Sequence, residues 1–194
     1  MNGYFLSIMN TLAKAAASID EAAFTSLIED CVHVLDSGHK VIVSGLGKNV
    51  PVCDKFVGTM VSLGQNACFM NTNSAVHGDI GMVAPGDLVI ILSKSGETEE
   101  SVYLTSLLKR REAALWLLSF CRESTLTAEI EKCLILDLEH EGDPWNIVPN
   151  NSTTMNLIVL QALAMNIAKK RGVTLRDFKQ NHPGGHIGVQ LKHV

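Results

Sequence analysis

Residues Leu88–Glu100 read LVIIL followed by SKSGETEE, and the order of those two halves decides the fold. Leu88–Leu92 is an unbroken apolar run, as expected of a strand covered on both faces. Ser93-Lys94-Ser95-Gly96-Glu97-Thr98 is a polar turn, and Glu99 opens a segment of helical length that reaches Arg111. A buried strand feeding a turn and then a helix is the repeating half of a parallel βαβ unit.

The same alternation extends in both directions. Short apolar runs at Lys40–Ser44 and Asn66–Met70 precede this unit, and Ala114–Ser119 and Cys133–Leu138 come after it. Helical lengths lie at Val50–Leu63 and Thr125–Lys132, with a single helical turn expected in Val76–Met82. A long helix runs from about Ser152 to Arg171 and is stopped by Gly172. Ahead of the first strand, Tyr4–Asp36 is patterned as two helices. Ser18-Ile19-Asp20-Glu21 reads as the capping box of the second, and Gly38 as its stop. This alternation implies right-handed crossovers and a parallel sheet of about five strands. The expected fold is therefore α/β, a three-layer αβα sandwich. One domain is expected over residues 1–194: N-terminal helices at about 4–37, an α/β core at about 40–171 and a C-terminal active-site segment at about 172–194.

Composition narrows the function. Of the 194 residues 46% are hydrophobic, enough for a continuous core. Sixteen Lys plus Arg against twenty Asp plus Glu gives a net charge of −4, without the concentrated positive charge that nucleic-acid binding needs. The basic clusters Lys109–Arg111 and Lys169–Arg171 fall at expected helix C-termini, where cations suit the helix dipole. No stretch is long and apolar enough to span a membrane, and MNGYFLSIMN lacks the basic start of a signal peptide. Five cysteines without a C-x-x-C pair argue against a disulfide framework or a Cys-rich zinc site. Buried free thiols and a cytoplasmic location are expected.

In a parallel sheet of this kind ligands bind beyond the C-terminal ends of the strands. The first strand runs into Gly45-Leu46-Gly47-Lys48-Asn49. Val50 stands where a dinucleotide fingerprint needs its third glycine. Ile42 and Asn49 stand where a P-loop needs glycine and a hydroxyl, so both nucleotide readings fail. What remains is a glycine turn presenting Lys48 to an anion. Ser93, Ser95 and Thr98 add three hydroxyls around Gly96 at a helix N-terminus, more than capping requires, and this suits a phosphate. Successive helix positions are about 100° apart, so Glu97, Glu99 and Glu100 cannot all face such a pocket; one pointing in with the others solvated is expected. Pro149–Thr154 reads chiefly as a helix cap with Ser152 and Thr153 near the ligand, and Glu141 lies in an acidic loop suited to a general base. His77 and His182 stand beside turn residues, where an isolated histidine is usually a solvated surface group.

The succession GLGKN, AVHGDIGM, SKSGETEE, PNNSTT and NHPGGHIG resembles the SIS (sugar isomerase) domain, in particular its arabinose-5-phosphate isomerase branch, from about Lys14 to Leu191. The resemblance implies a sugar phosphate held by Ser93, Ser95 and Thr98. It implies functional roles for Lys48, His77, Glu100, Glu141 and His182, with Ser44, Gly47, Ser152 and Thr153 near the substrate. It also implies an aldose–ketose isomerase of D-arabinose 5-phosphate and D-ribulose 5-phosphate. Glu141, its pKa raised toward neutrality, or His182 would be the base, and Lys48 the enediolate partner. No metal or redox cofactor is expected, and a homodimer or homotetramer with sites near subunit interfaces is. Asn49-Val50-Pro51, Lys94, Asp143, Trp145 and His186 depart from the usual pattern at the rim of the expected pocket. A hexulose- or heptulose-phosphate isomerase and a non-catalytic sugar-phosphate sensor therefore stay open. Relatives in this branch often carry a pair of CBS modules after the H-P-G-G segment. With the chain ending nine residues beyond Gly185, an isomerase domain without them is expected.

Overall fold

Alternate residues of the central strands point to opposite faces, and both faces are apolar. Val41, Val43, Leu88, Ile90, Leu92, Trp116 and Leu118 build one core, and Ile42, Val89, Ile91 and Leu117 build a second. A sheet buried on both sides needs a helical layer on each. The computed structural model, which describes residues 3–193, has that three-layer architecture. Its strands are β1 (Val41–Gly45), β2 (Ala67–Asn71), β3 (Leu88–Leu92), β4 (Ala114–Ser119) and β5 (Lys132–Ile135). They pair in parallel in the order β2-β1-β3-β4-β5.

Four helices supply the first core: α1 (Gly3–Ala17), α2 (Glu21–Asp36), α3 (Val50–Ser62) and α7 (Asn151–Lys170). The short α4 (Thr72–Ala75) and α6 (Thr125–Glu129) join α5 (Glu99–Leu108) against the second. Two further short helices, α8 (Leu175–Gln180) and α9 (Gly185–Gln190), come after α7. The αβα sandwich and the five parallel strands agree with expectation. The chain order reverses between β1 and β3, which makes the gap beyond their C-terminal ends the switch point of the sheet.

Local boundaries differ from the sequence reading for definable reasons. The cap of α2 is Asp20, whose extended backbone lets its carboxylate accept from the N–H groups of Ala22 and Ala23. Ser18 instead donates to the Ala15 carbonyl and closes α1. Helix α6 ends at Glu129, before Lys132, because Ile130 is extended and buried in the second core. Strand β5 stops at Ile135, short of Leu138, because β4 ends at Ser119, whose carbonyl takes the N–H of Leu136 as the last rung. The single turn expected in Val76–Met82 is a 3-10 turn over Asp79–Met82. Asn71 caps the separate α4, and Gly78 at φ 126° turns the chain between the two. Cys31 and Cys53 are buried, whereas Cys68, Cys121 and Cys133 are partly exposed, so burial of all five thiols is corrected.

Candidate active site

Two strand ends meet at the switch point. Beyond β1, Leu46–Asn49 turns through Gly47, whose φ of 55° is left-handed, and delivers Lys48. Beyond β3, Leu92–Thr98 supplies Ser93, Lys94 and Ser95, and the start of α7 supplies Ser152, Thr153 and Asn156. They enclose a cavity of about 340 Å³, large enough for one small ligand. Lys48 is exposed and has no ion-pair partner among the described residues.

The β3 loop is shaped by its own hydroxyls. Gly96 N–H donates to Ser93 Oγ and Glu97 N–H to Ser95 Oγ, each at 3.2 Å. Each hydroxyl accepts one bond and keeps its hydrogen for a ligand. Gly96 has φ 69°, and a Cβ there would lie 2.1 Å from Ser124 Oγ, so this turn admits only glycine without rearrangement. Thr98 holds the cap position of α5 but makes no side-chain cap bond. Its hydroxyl is not consumed by capping, which weighs toward a ligand.

Glu141 is set at the N-terminus of α7. Its Oε2 accepts from the N–H groups of Asn150 (3.0 Å) and Ser152 (2.9 Å), so it replaces the absent side-chain cap of Asn150. Its Oε1 stands 2.6 Å from Lys94 Nζ. The loop that carries it is tied down by Asn146 and Asn150. Asn146 Oδ1 accepts from Glu141 N–H, and Asn150 Nδ2 donates to the Glu141 carbonyl. Asp143 accepts from three backbone N–H groups of the same loop. Burial pushes the Glu141 carboxyl up, but Lys94, Ser152 and Asn150 outweigh it and hold the group below the ordinary carboxylate range. The expectation of a pKa raised toward neutrality is thereby corrected: the partners that bury Glu141 also favour its charge.

Of the residues expected at the site, Gly47, Lys48, Ser93, Ser95, Thr98, Ser152 and Thr153 converge on the cavity, with Glu141 reached through Lys94. Ser44 does not line it, because β1 turns that side chain to a buried bond with the Thr72 hydroxyl (3.0 Å). None of the three acids after the loop lines it. Glu97 is held by Thr125, and Glu99 and Glu100 are exposed on the first turn of α5. His77 is exposed after α4, beyond the outer strand β2. His182 lies at the far end of the molecule. Twenty residues of α7 span about 30 Å, and they carry the chain from the cavity to the opposite, N-terminal end of the strands, where Arg171 meets Asp36 and Gln65. There His182 stacks on Phe178, and Asn181 bonds the Ser62 carbonyl at the end of α3. Residues 172–193 therefore stand away from this chain's own cavity. The sequence reading missed Asn156, whose Nδ2 donates to Asn49 Oδ1 in the cavity wall. Its mid-helix position in an otherwise apolar stretch was the available signal. Among the described residues no group of three metal-ligating side chains occurs, and no helix is long and apolar enough to cross a membrane.

A doubly wound sheet whose switch point is lined by hydroxyls, a glycine turn and two lysines is an αβα domain with a site suited to a small anion. The chain belongs to the SIS domain family, whose model matches residues 34–166. It is 41% identical over 155 residues to an uncharacterised protein of Chlamydia pneumoniae, covering 79% of this chain and 47% of that protein. It is 38% identical over 178 residues to arabinose 5-phosphate isomerase KdsD of Escherichia coli O6:H1, covering 92% of this chain and 54% of that protein. The chain thus spans about half the length of the curated relatives it matches. Among solved structures it is similar to Escherichia coli CFT073 c3406 in complex with arabinose 5-phosphate. The TM-score is 0.81 at 31% identity, covering 94% of this chain and all of that one.

Proposed function

We propose that the chain is a phosphosugar aldose–ketose isomerase that interconverts D-arabinose 5-phosphate and D-ribulose 5-phosphate. The observation that carries this reading is the cavity at the switch point, where Ser93, Ser95 and Thr98 offer unspent hydroxyls facing Lys48 and the start of α7. The likeness to KdsD and to the arabinose 5-phosphate complex supplies the substrate class.

In this reading the phosphate lies in the β3 loop and the open-chain sugar extends toward α7. Glu141 takes the proton from C2, and the C–H electron pair becomes the C1–C2 double bond as the C1 carbonyl pair moves to O1. The O2 hydroxyl proton then passes to O1, the double-bond pair takes the proton back from Glu141 at C1, and O2 is left as the ketone oxygen. Lys48 donates to the enediolate oxygen as charge develops there. His182, remote from its own chain's cavity, serves the cavity of a second copy. His77 and Glu100, at the cavity's end of the sheet, orient sugar hydroxyls once that copy closes over them. Tyr4, Phe5, Leu6 and Met9 on α1 and Trp145 and Ile147 beside the Glu141 loop are exposed apolar side chains that favour such an assembly. Neither the proton transfer nor enediolate stabilisation calls for a metal or redox cofactor.

Proton exchange at C2 in deuterated water tests the assignment. Glu141→Gln is expected to lower exchange at least about a hundredfold, the usual scale of a positioned base, without weakening phosphate binding. Undiminished exchange would transfer the role of base to His182.

A further inference from the structure

Glu141 has two kinds of partner, and they differ in whether they can leave. Its Oε2 is held by the N–H groups of Asn150 and Ser152, which belong to the backbone at the start of α7. Its Oε1 accepts no hydrogen bond among the described residues and has only an ion pair with the Lys94 ammonium, at the end of a flexible four-carbon stem. The carboxylate is 1% exposed, whereas the Lys94 side chain is 48% exposed, so the lysine reaches in from the open side of the cavity. Lys94 also stands between Ser93 and Ser95 in the loop whose hydroxyls face the cavity. A phosphate in that loop and the carboxylate of Glu141 therefore compete for one ammonium. Lys48, the other lysine of the cavity wall, rises beyond the neighbouring strand β1, and Glu97 is held away by Thr125.

We propose that Lys94 is a substrate-operated latch, paired with Glu141 until a phosphosugar binds and then drawn to its phosphate, so that Oε1 of Glu141 is released toward the sugar. The proposal rests on the phosphosugar reading and adds a positioning residue to it. While paired with an ammonium at 2.6 Å, Glu141 is a poor proton acceptor. Moving the cation to the phosphate strengthens the base only when substrate is present to use it. Linkage makes the effect reciprocal: whatever phosphate does to Glu141, the charge of Glu141 does to phosphate affinity.

The test is a double-mutant cycle read by calorimetric binding of inorganic phosphate, which requires no turnover. Lys94→Gln is expected to weaken phosphate binding about tenfold, and Lys94→Arg to retain most of it. Glu141→Gln is expected to tighten binding about tenfold in the wild-type background, because Lys94 is then free, but no more than about twofold when Lys94 is already Gln. That difference is a coupling of ordinary size for groups in contact. The same factor in both backgrounds, or no effect of Lys94→Gln, overturns the latch. Because Glu141 also caps α7, a measurement independent of its replacement accompanies the cycle. The Glu141 carboxyl carbon resonance shifts on saturation with phosphate in the wild type, and shifts far less in Lys94→Gln. Equal shifts overturn the proposal. Absence of phosphate binding by the wild type would instead remove the phosphosugar reading itself.

Discussion

Gly96→Ala separates the β3 loop from the rest of the fold. The native φ of 69° is one that an L-residue with a Cβ adopts at about 1–2 kcal/mol. The added methyl would lie 2.1 Å from Ser124 Oγ and 2.6 Å from Ser124 Cβ, so one of the two segments must move. Ser124 is the cap of α6: its Oγ accepts from Thr127 N–H, and Thr127 Oγ1 accepts from Ser124 N–H. Displacing it costs about 1 kcal/mol of capping, and the residual overpacking about 1–3 kcal/mol. The sum is about 3–6 kcal/mol, a large part of the about 5–15 kcal/mol that holds an ordinary domain folded. Urea unfolding measures it, and calorimetry tracks phosphate binding, which should weaken because Gly96 N–H positions Ser93 Oγ. Ser124→Gly alone costs only a few tenths of a kcal/mol. Combined with Gly96→Ala it removes the clashing atoms, so the double variant should recover about 1–3 kcal/mol and retain the backbone strain. A Gly96→Ala protein within about 1 kcal/mol of wild type, with unchanged phosphate affinity, refutes this account of the loop.

Two further outcomes concern groups outside the cavity. Asp87 is 1% exposed, 2.6 Å from Lys40 Nζ, and accepts from the N–H groups of Lys40 and Ala84. Burial raises its pKa, but Lys40 and the two amides pull it below the ordinary value, so its stabilisation is present above the unfolded pKa near about 4 and fades as pH falls through the folded one. Asp87→Ala is therefore expected to cost about 3 kcal/mol at neutral pH. The gap from wild type should narrow below about pH 4, as read by urea titration; a gap independent of pH contradicts the pairing. Burial also pushes the Cys53 thiol to about 12 and Cys31 higher still. Iodoacetamide at mildly alkaline pH should leave both unlabelled until the chain is unfolded, and mass spectrometry of the native digest decides it.

The parts of the fold visible in the sequence are those fixed by burial on both faces. Lys40–Ser44 and Leu88–Leu92 read as strands because both sides of β1 and β3 are apolar and fully covered. Strand β5 is an edge, half exposed, and its end depends on where β4 stops, a fact carried by Ser119 in another strand. The Ser93–Thr98 loop was legible because hydroxyls and glycine beyond a strand end have few other uses. Glu141 was legible as a candidate but not in its environment. Its partners lie at Lys94, far along the chain, and at Asn150 and Ser152, nine and eleven residues on, and only the fold brings them together. The remoteness of His182 had a signal that went unused. A helix of twenty residues that begins at the cavity must deliver the C-terminal segment to the other end of the sheet.

Turnover separates a cavity that converts a phosphosugar from one that only holds it. Incubation of the chain with five-, six- and seven-carbon aldose and ketose phosphates, with NMR in deuterated water as the readout, measures this directly. Conversion of D-arabinose 5-phosphate to D-ribulose 5-phosphate is expected, with solvent deuterium entering at the exchanged carbon and little conversion of the longer sugars. Saturable binding across the panel with neither conversion nor exchange would contradict the isomerase reading and leave a sugar-phosphate sensor in its place.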